Sequence, residues 1–100
     1  ISNLNESNVL ILVDCLTLWL SNIMLENLDV VFETRKLVEQ ITDARAHLIF
    51  VSNEVGLGIV PDNVLARKFR YAQGVLNQEV AAAADEVFLI TAGLPLNLKG

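Results

Sequence analysis

Residues 9–14 read VLILVD, an unbroken apolar run of strand length that ends in a carboxylate. A run with no polar residue on either face is typical of a parallel strand that is covered on both sides. Two further runs have the same character, LIFV at residues 48–51 and VFLI at residues 87–90. We therefore expect three buried strands.

The segments between these runs have helical length and spacing. Residues 16–25 are apolar on almost every side, which predicts a deeply buried helix or a subunit contact. Residues 31–45 predict a second helix, and residues 62–84 a third, whose start suits Pro61 and Asp62. The apolar faces predicted for the second and third helices are Val31, Leu37, Val38, Ile41 and Ala44, and Leu65, Phe69, Ala72, Leu76, Val80 and Ala83.

Strands joined by helical crossovers specify an α/β fold, in this case a three-layer parallel sheet with helices on both faces. Gly93 and Pro95 are expected to turn the chain before a short edge strand at residues 96–99.

Composition excludes several classes of protein. With 53% hydrophobic and 19% charged residues the chain is not disordered, and a net charge of −5 does not favour nucleic-acid binding. The apolar stretch at residues 9–25 contains Asp14, which argues against a membrane span. One cysteine, Cys15, and one histidine, His47, give no internal disulfide or zinc site, and we interpret both as structural. We expect a single cytoplasmic domain.

Asp14 is the first candidate functional residue. An apolar strand that ends in Asp is the pattern of a Walker B strand, whose carboxylate holds the Mg²⁺ ion of a bound nucleotide. The alternative is an N-cap for the helix at residues 16–25.

Two other segments carry candidate chemistry. Ser52-Asn53-Glu54 follows the second strand, on the side where parallel sheets bind ligands, and Glu54 is either a second metal-side carboxylate or a general base. The alternative is a plain turn containing Gly56 and Gly58. On the third helix, residues at spacings of 3, 4 and 3 form a stripe suited to phosphate or carboxylate, or else a solvated basic face. This stripe consists of Arg67, Arg70, Gly74 and Asn77, where the glycine suggests a close approach by another element or a ligand.

Longer strings of residues carry a more specific signal. VDCLTLWLSN at residues 13–22 and VSNEVGLGIVP at 51–61 closely resemble segments of the bifunctional adenosylcobinamide kinase/adenosylcobinamide-phosphate guanylyltransferase family. Shorter islands continue the resemblance in the same order, at residues 65–67, 69–70, 74, 76–78, 81–87 and 93–95.

The resemblance implies a RecA-like P-loop NTPase fold and a cytoplasmic, trimeric enzyme of cobalamin biosynthesis. Such an enzyme phosphorylates adenosylcobinamide with a nucleoside triphosphate, then transfers GMP from GTP through a guanylylated histidine. Mg²⁺ with GTP or ATP is the implied cofactor. Asp14 falls on the acidic position where Mg²⁺ or GTP contact is expected, Asn53 and Glu54 lie in the loop beside it, and the third helix contributes nucleotide-binding candidates. These are Arg67, Arg70 and Asn77.

The chain departs from this family at its start. It contains no Gly-x-x-x-x-Gly-Lys-[Ser/Thr] motif, and the family's phosphate loop and GMP-bearing histidine both precede the segment that matches residue 9. We expect residues 1–100 to be the C-terminal part of one P-loop nucleotide-binding domain without its phosphate-loop strand. Such a chain should hold no catalytic residue, be silent alone, and self-associate through bare strand edges. The alternative is a non-catalytic α/β assembly module whose helix at residues 16–25 binds sister chains.

Overall fold

The computed structural model describes residues 8–55 and 62–100. Along the chain these residues form β1 (Leu10–Asp14), α1 (Leu16–Leu25), α2 (Val30–Thr42), β2 (His47–Val51), α3 (Val64–Ala83), β3 (Val87–Thr91) and β4 (Leu94–Lys99). The predicted alternation of strands and helices is confirmed. The predicted loop glycines Gly56 and Gly58, and Pro61, lie outside the described residues.

Two small sheets take the place of the expected single parallel sheet. β1 pairs in parallel with β2, and Asp14 lies opposite Val51 at the end of the ladder. β3 pairs antiparallel with β4, so the third predicted strand joins neither β1 nor β2 in the part of the chain that the structure describes. The reason is local. Ala92 and Gly93 both have positive φ, of 52° and 76°, as in a two-residue hairpin turn, and this turn folds β4 back onto β3.

The three helices pack on one face of the β1–β2 sheet. Leu16 and Leu20 of α1, Leu37 of α2, and Leu76 and Val80 of α3 form the buried cluster. Val13 of β1 and Phe50 of β2 pack against this cluster from the sheet.

The opposite face of the β1–β2 sheet is exposed. Leu10 and Leu12 are 64% and 61% exposed, and Ile49 and Val51, which lie on the same face of β2, are 49% and 43% exposed. The expected cover of helices on both faces is therefore wrong for the described residues.

Some predicted helical contacts also differ. Val31 of α2 and Leu65 of α3 are 65% and 69% exposed, although the spacing assigned both to apolar faces. The N-cap of α3 is Asn63, whose Oδ1 accepts a hydrogen bond from the Ala66 amide at 3.1 Å, in place of the predicted start at Pro61 and Asp62. Among the described helices, none is long and apolar enough to cross a membrane.

Candidate functional site

The predicted site residues of β1 and β2 lie at one edge of their sheet. Because the two strands are parallel and in register, Asp14 at the end of β1 is directly opposite Val51 at the end of β2. Ser52, Asn53 and Glu54 continue from that end as an irregular segment, and the Asp14 side chain is exposed. The carboxyl ends of parallel strands are where open α/β sheets bind ligands.

Asp14 does not cap the helix that follows it. The N-cap residue of α1 is Cys15, and no side chain caps this helix end. The alternative interpretation of Asp14 as a structural N-cap is therefore wrong, and its carboxylate lies on the exposed edge of the sheet.

The backbone of Asn53 is held from two sides. Its amide donates a hydrogen bond to Thr17 Oγ1 of α1 at 3.1 Å, and its carbonyl accepts one from Asn77 Nδ2 of α3 at 2.9 Å. The residue as a whole is exposed. The segment that carries Asn53 and Glu54 is thus fastened to both neighbouring helices, while Asn53 faces solvent.

A polar cluster, Ser52–Gln73–Asn77, lies beneath this segment. Ser52 Oγ donates to Asn77 Oδ1 at 2.5 Å, and Gln73 Nε2 is 3.0 Å from both Ser52 Oγ and Asn77 Oδ1. Gln73 is completely buried. Sequence reasoning missed it, although it lies four residues after Phe69 and three before Leu76 and so shares their face of α3.

The basic stripe of α3 contacts backbone at both ends of the segment between β2 and α3. Arg70, half-buried, donates from Nε to the Val55 carbonyl at 2.7 Å, and Arg67 donates from Nη1 to the Asp62 carbonyl at 2.7 Å. A Cβ added at Gly74 meets no heavy atom within 4 Å among the described residues, so no described element makes the close approach that the glycine suggested. Direct contact of Arg67, Arg70 and Asn77 with a nucleotide stays a prediction.

The acidic side chains of the described residues suit a nucleotide-associated Mg²⁺ ion rather than a metal centre built from protein ligands alone. Among the described residues, no three His, Cys, Asp or Glu side chains come together as a metal centre would require. A nucleotide-associated Mg²⁺ ion needs less, because it keeps several waters and takes one or two carboxylates together with phosphate oxygens. Asp14, on an exposed strand end, fits that second arrangement.

Comparison with known proteins identifies the family. The sequence model of the family described as cobinamide kinase / cobinamide phosphate guanyltransferase matches residues 1–98. The chain belongs to this family. The match confirms the resemblance seen in residues 13–22 and 51–61, and it places Asp14 and the Asn53–Glu54 segment within the matched region.

Individual relatives agree with this assignment. The chain is 41% identical over 99 residues to the bifunctional adenosylcobalamin biosynthesis protein CobP of Pseudomonas aeruginosa, an alignment that covers 95% of the chain and 56% of that protein. It is 54% identical over 54 residues to CobU of Salmonella typhimurium, covering 54% of the chain and 30% of that protein. It is 43% identical over 67 residues to CobU of Escherichia coli, covering 67% and 37%. The chain thus spans about half the length of the Pseudomonas relative and less of the other two.

Proposed function

We propose that this chain is the Mg²⁺- and nucleotide-binding edge of an enzyme of cobalamin biosynthesis. That enzyme phosphorylates adenosylcobinamide with a nucleoside triphosphate and then transfers GMP from GTP to the new phosphate. The observation that carries the proposal is the placement of Asp14 opposite Val51, beside the segment that carries Asn53 and Glu54, at the ligand-binding edge of a parallel sheet.

The roles follow from the chemistry of these side chains. Asp14 holds the Mg²⁺ ion, which neutralises phosphate charge in either reaction, and GTP or ATP is the bound nucleotide. Asn53 and Glu54 would contact the nucleotide. Arg67 and Arg70 suit its phosphates because a guanidinium makes charge-assisted hydrogen bonds to phosphate oxygens. Asn77 completes the set from the same helix.

The remaining machinery is proposed to lie outside these 100 residues. No phosphate-loop motif occurs in the sequence, and His47 starts β2 rather than ending a strand at the site edge. We propose that a further segment supplies the phosphate loop and the GMP-bearing histidine. Its phosphate-loop strand completes a RecA-like sheet. The chain alone is then catalytically silent, and we assign it no catalytic residue.

Assembly is part of the proposal. Large exposed apolar side chains on the β1–β2 sheet and on the hairpin β3–β4 support a homo-oligomer, a trimer by family resemblance. Cytoplasmic location stays a prediction. The alternative, a non-catalytic module that binds sister chains through α1, is supported by Leu18 and Leu25, which are 59% and 78% exposed on that helix.

The deciding experiment is a GTP titration with and without Mg²⁺. It compares the 100-residue chain with the same chain joined to an N-terminal segment that carries the phosphate loop. We expect Mg²⁺-dependent GTP binding and phosphorylation of adenosylcobinamide only in the longer protein, with both lost in Asp14→Asn.

Two results would count against this proposal. If the longer protein binds no GTP, the assembly module becomes the better interpretation. If Asp14→Asn retains the Mg²⁺ dependence, Asp14 does not hold the metal ion. Phosphorylation by the 100-residue chain alone would refute its predicted silence.

A further inference from the structure

Gln73 is a buried amide at a position where the helix otherwise presents apolar side chains to the core. It is 0% exposed, and Leu76 and Val80, on the same face of α3, are 1% and 7% exposed. A Met or Leu at this position would fill similar space without the cost of removing an amide from water. The hydrogen bonds of the Gln73 NH₂ group offset part of that cost.

Those bonds lead from the helix to the backbone of the site segment. Gln73 Nε2 donates to Asn77 Oδ1 and to Ser52 Oγ, each at 3.0 Å, and Ser52 Oγ donates in turn to Asn77 Oδ1. With its oxygen receiving two donors, the Asn77 carboxamide presents Nδ2 to the Asn53 carbonyl at 2.9 Å.

The polarity of this chain of bonds starts at the Asn53 carbonyl, which can only accept, and the Gln73 amide is oriented to match it. If the Asn77 carboxamide rotated by half a turn, its NH₂ group would face the Gln73 NH₂ group, and its oxygen would face the Asn53 carbonyl oxygen. Both contacts are repulsive. The opposite end of the Gln73 amide, Oε1, is buried with no hydrogen-bond partner among the described residues. In this orientation of the Gln73 amide, the NH₂ group donates to Asn77 and Ser52. The atom left without a partner among the described residues is Oε1.

We infer that Gln73 is a positioning residue that fixes the Asn77 carboxamide and, through it, the backbone of Asn53. The inference deepens the proposed function, since Asn53 and Glu54 are the residues that this backbone presents beside Asp14. It concerns the chain without ligand, so it can be tested apart from nucleotide binding.

The test measures backbone amide exchange of Asn53 by NMR in the 100-residue chain without metal or nucleotide. The Asn53 amide bonds to Thr17 Oγ1, and this bond should open more often once the carbonyl of the same residue is released from Asn77. Gln73→Met keeps side-chain length and helix propensity but removes the donors. We expect the Asn53 amide to exchange at least tenfold faster, with little change in the urea midpoint. Gln78→Met, an exposed glutamine on the same helix, is the matched control and should leave Asn53 unchanged.

A double-mutant cycle separates positioning from simple packing. Asn77→Asp removes the donor to the Asn53 carbonyl directly. If Gln73 acts through Asn77, Gln73→Met adds less than a further twofold to the exchange rate of the Asn77→Asp chain. Multiplying effects, or an Asn53 amide within twofold of wild type in Gln73→Met, would overturn the inference.

Two arms keep the outcomes distinct. Ser52→Ala removes the second donor to Asn77 without touching the helix, and it should accelerate Asn53 exchange severalfold. If Gln73→Met does not fold, Asn77→Asp decides the question: an unchanged Asn53 rate there means that the carboxamide does not hold this backbone, which refutes the inference. Mg²⁺-dependent GTP binding by the longer protein that carries the phosphate loop tests the metal site of the proposed function. Loss of that arm alone leaves the role of Gln73 intact.

Discussion

Asp14 has an exposed carboxylate that the fold does not use to cap a helix. Cys15 holds the N-cap position of α1, and Asp14 is the last residue of β1. A side chain at an exposed strand end contributes little to stability, so its chemistry can be tested without unfolding the protein.

We predict that Asp14→Ala changes the free energy of unfolding by less than about 0.5 kcal/mol, whereas replacing an N-cap residue with Ala costs about 0.5–2 kcal/mol. Urea unfolding measures this difference. In the longer protein with GTP bound, the same substitution should abolish Mn²⁺ broadening of the Asp14 and Asn53 amide signals, and Glu79→Gln, an exposed carboxylate on α3, should leave it intact. A loss of 1 kcal/mol or more would restore the capping role.

The sequence predicted the part of the candidate site that lies at the carboxyl ends of the strands, because the order of strands and helices fixes where those ends meet. Asp14 ends one apolar strand, Asn53 and Glu54 come after another, and parallel strands bring such residues to one edge. Gln73 was not predicted, because a polar residue at apolar spacing is as compatible with exposure as with burial. Its hydrogen bond to Ser52, 21 residues away in the sequence, is a long-range contact that the spacing along the helix does not reveal.

Among the elements, α3 is fastened at both ends. Asn63 caps its first turn, and at the other end Lys99 Nζ of β4 donates to the carbonyls of Ala81 and Ala82, each at 3.0 Å. A cation at the carboxyl end of a helix satisfies terminal carbonyls and complements the helix dipole. These contacts hold the hairpin β3–β4 on α3.

For the helix start, we predict that Asn63→Ala lowers the free energy of unfolding by about 1 kcal/mol, because the Ala66 amide loses its acceptor. Asn63→Ser keeps an acceptor oxygen and should stay within about 0.5 kcal/mol of the unaltered chain. Chemical denaturation followed by far-UV circular dichroism measures both. Equal effects of the two substitutions would show that the cap bond contributes nothing.

For the helix end, we predict that Lys99→Met destabilises the chain by about 0.5–1 kcal/mol at low salt. The difference in the free energy of unfolding should shrink in about 0.5 M NaCl, because salt at this concentration screens exposed charges. Lys68→Met, at an exposed position of the same helix, is the control. If Lys68→Met costs as much, the two carbonyl contacts of Lys99 are not the cause.

Element types followed from local sequence, whereas strand pairing did not. The apolar runs at 9–14, 48–51 and 87–90 contain all or part of β1, β2 and β3, and α3 matches its predicted spacing except at Leu65. The pairing partner of β3 depends on which strand lies beside it. The tight turn at Ala92 and Gly93 places β4 next to β3. The exposure of Leu12 was not predicted for the same reason. The composition of a strand indicates that it can be covered on both faces, but not whether another element of the chain lies over each face.

At the scale of the molecule, the structure is thin. Its dimensions are 45 × 34 × 18 Å, with a radius of gyration of 14.2 Å against about 13 Å for a compact 100-residue domain. A sheet with helices on one face fits within the short dimension, because packed layers lie about 10 Å apart. A second helical layer would need about 10 Å more. The exposed face of Leu10, Leu12, Ile49 and Val51 is therefore surface that the isolated chain leaves in water.

That face leads to the prediction that the 100-residue chain self-associates. Leu12 and Ile49 lie opposite each other at its centre, and contiguous exposed apolar surface promotes association. Replacing both with Lys should convert the chain to a monomer in sedimentation velocity, while near-UV circular dichroism stays unchanged.

The control is Leu18→Lys, which introduces a lysine at a similarly exposed leucine of α1 and should leave the association intact. If Leu18→Lys dissolves the assembly and the double substitution does not, α1 is the contact surface, as the assembly-module alternative requires. A chain that is monomeric before any substitution would refute self-association.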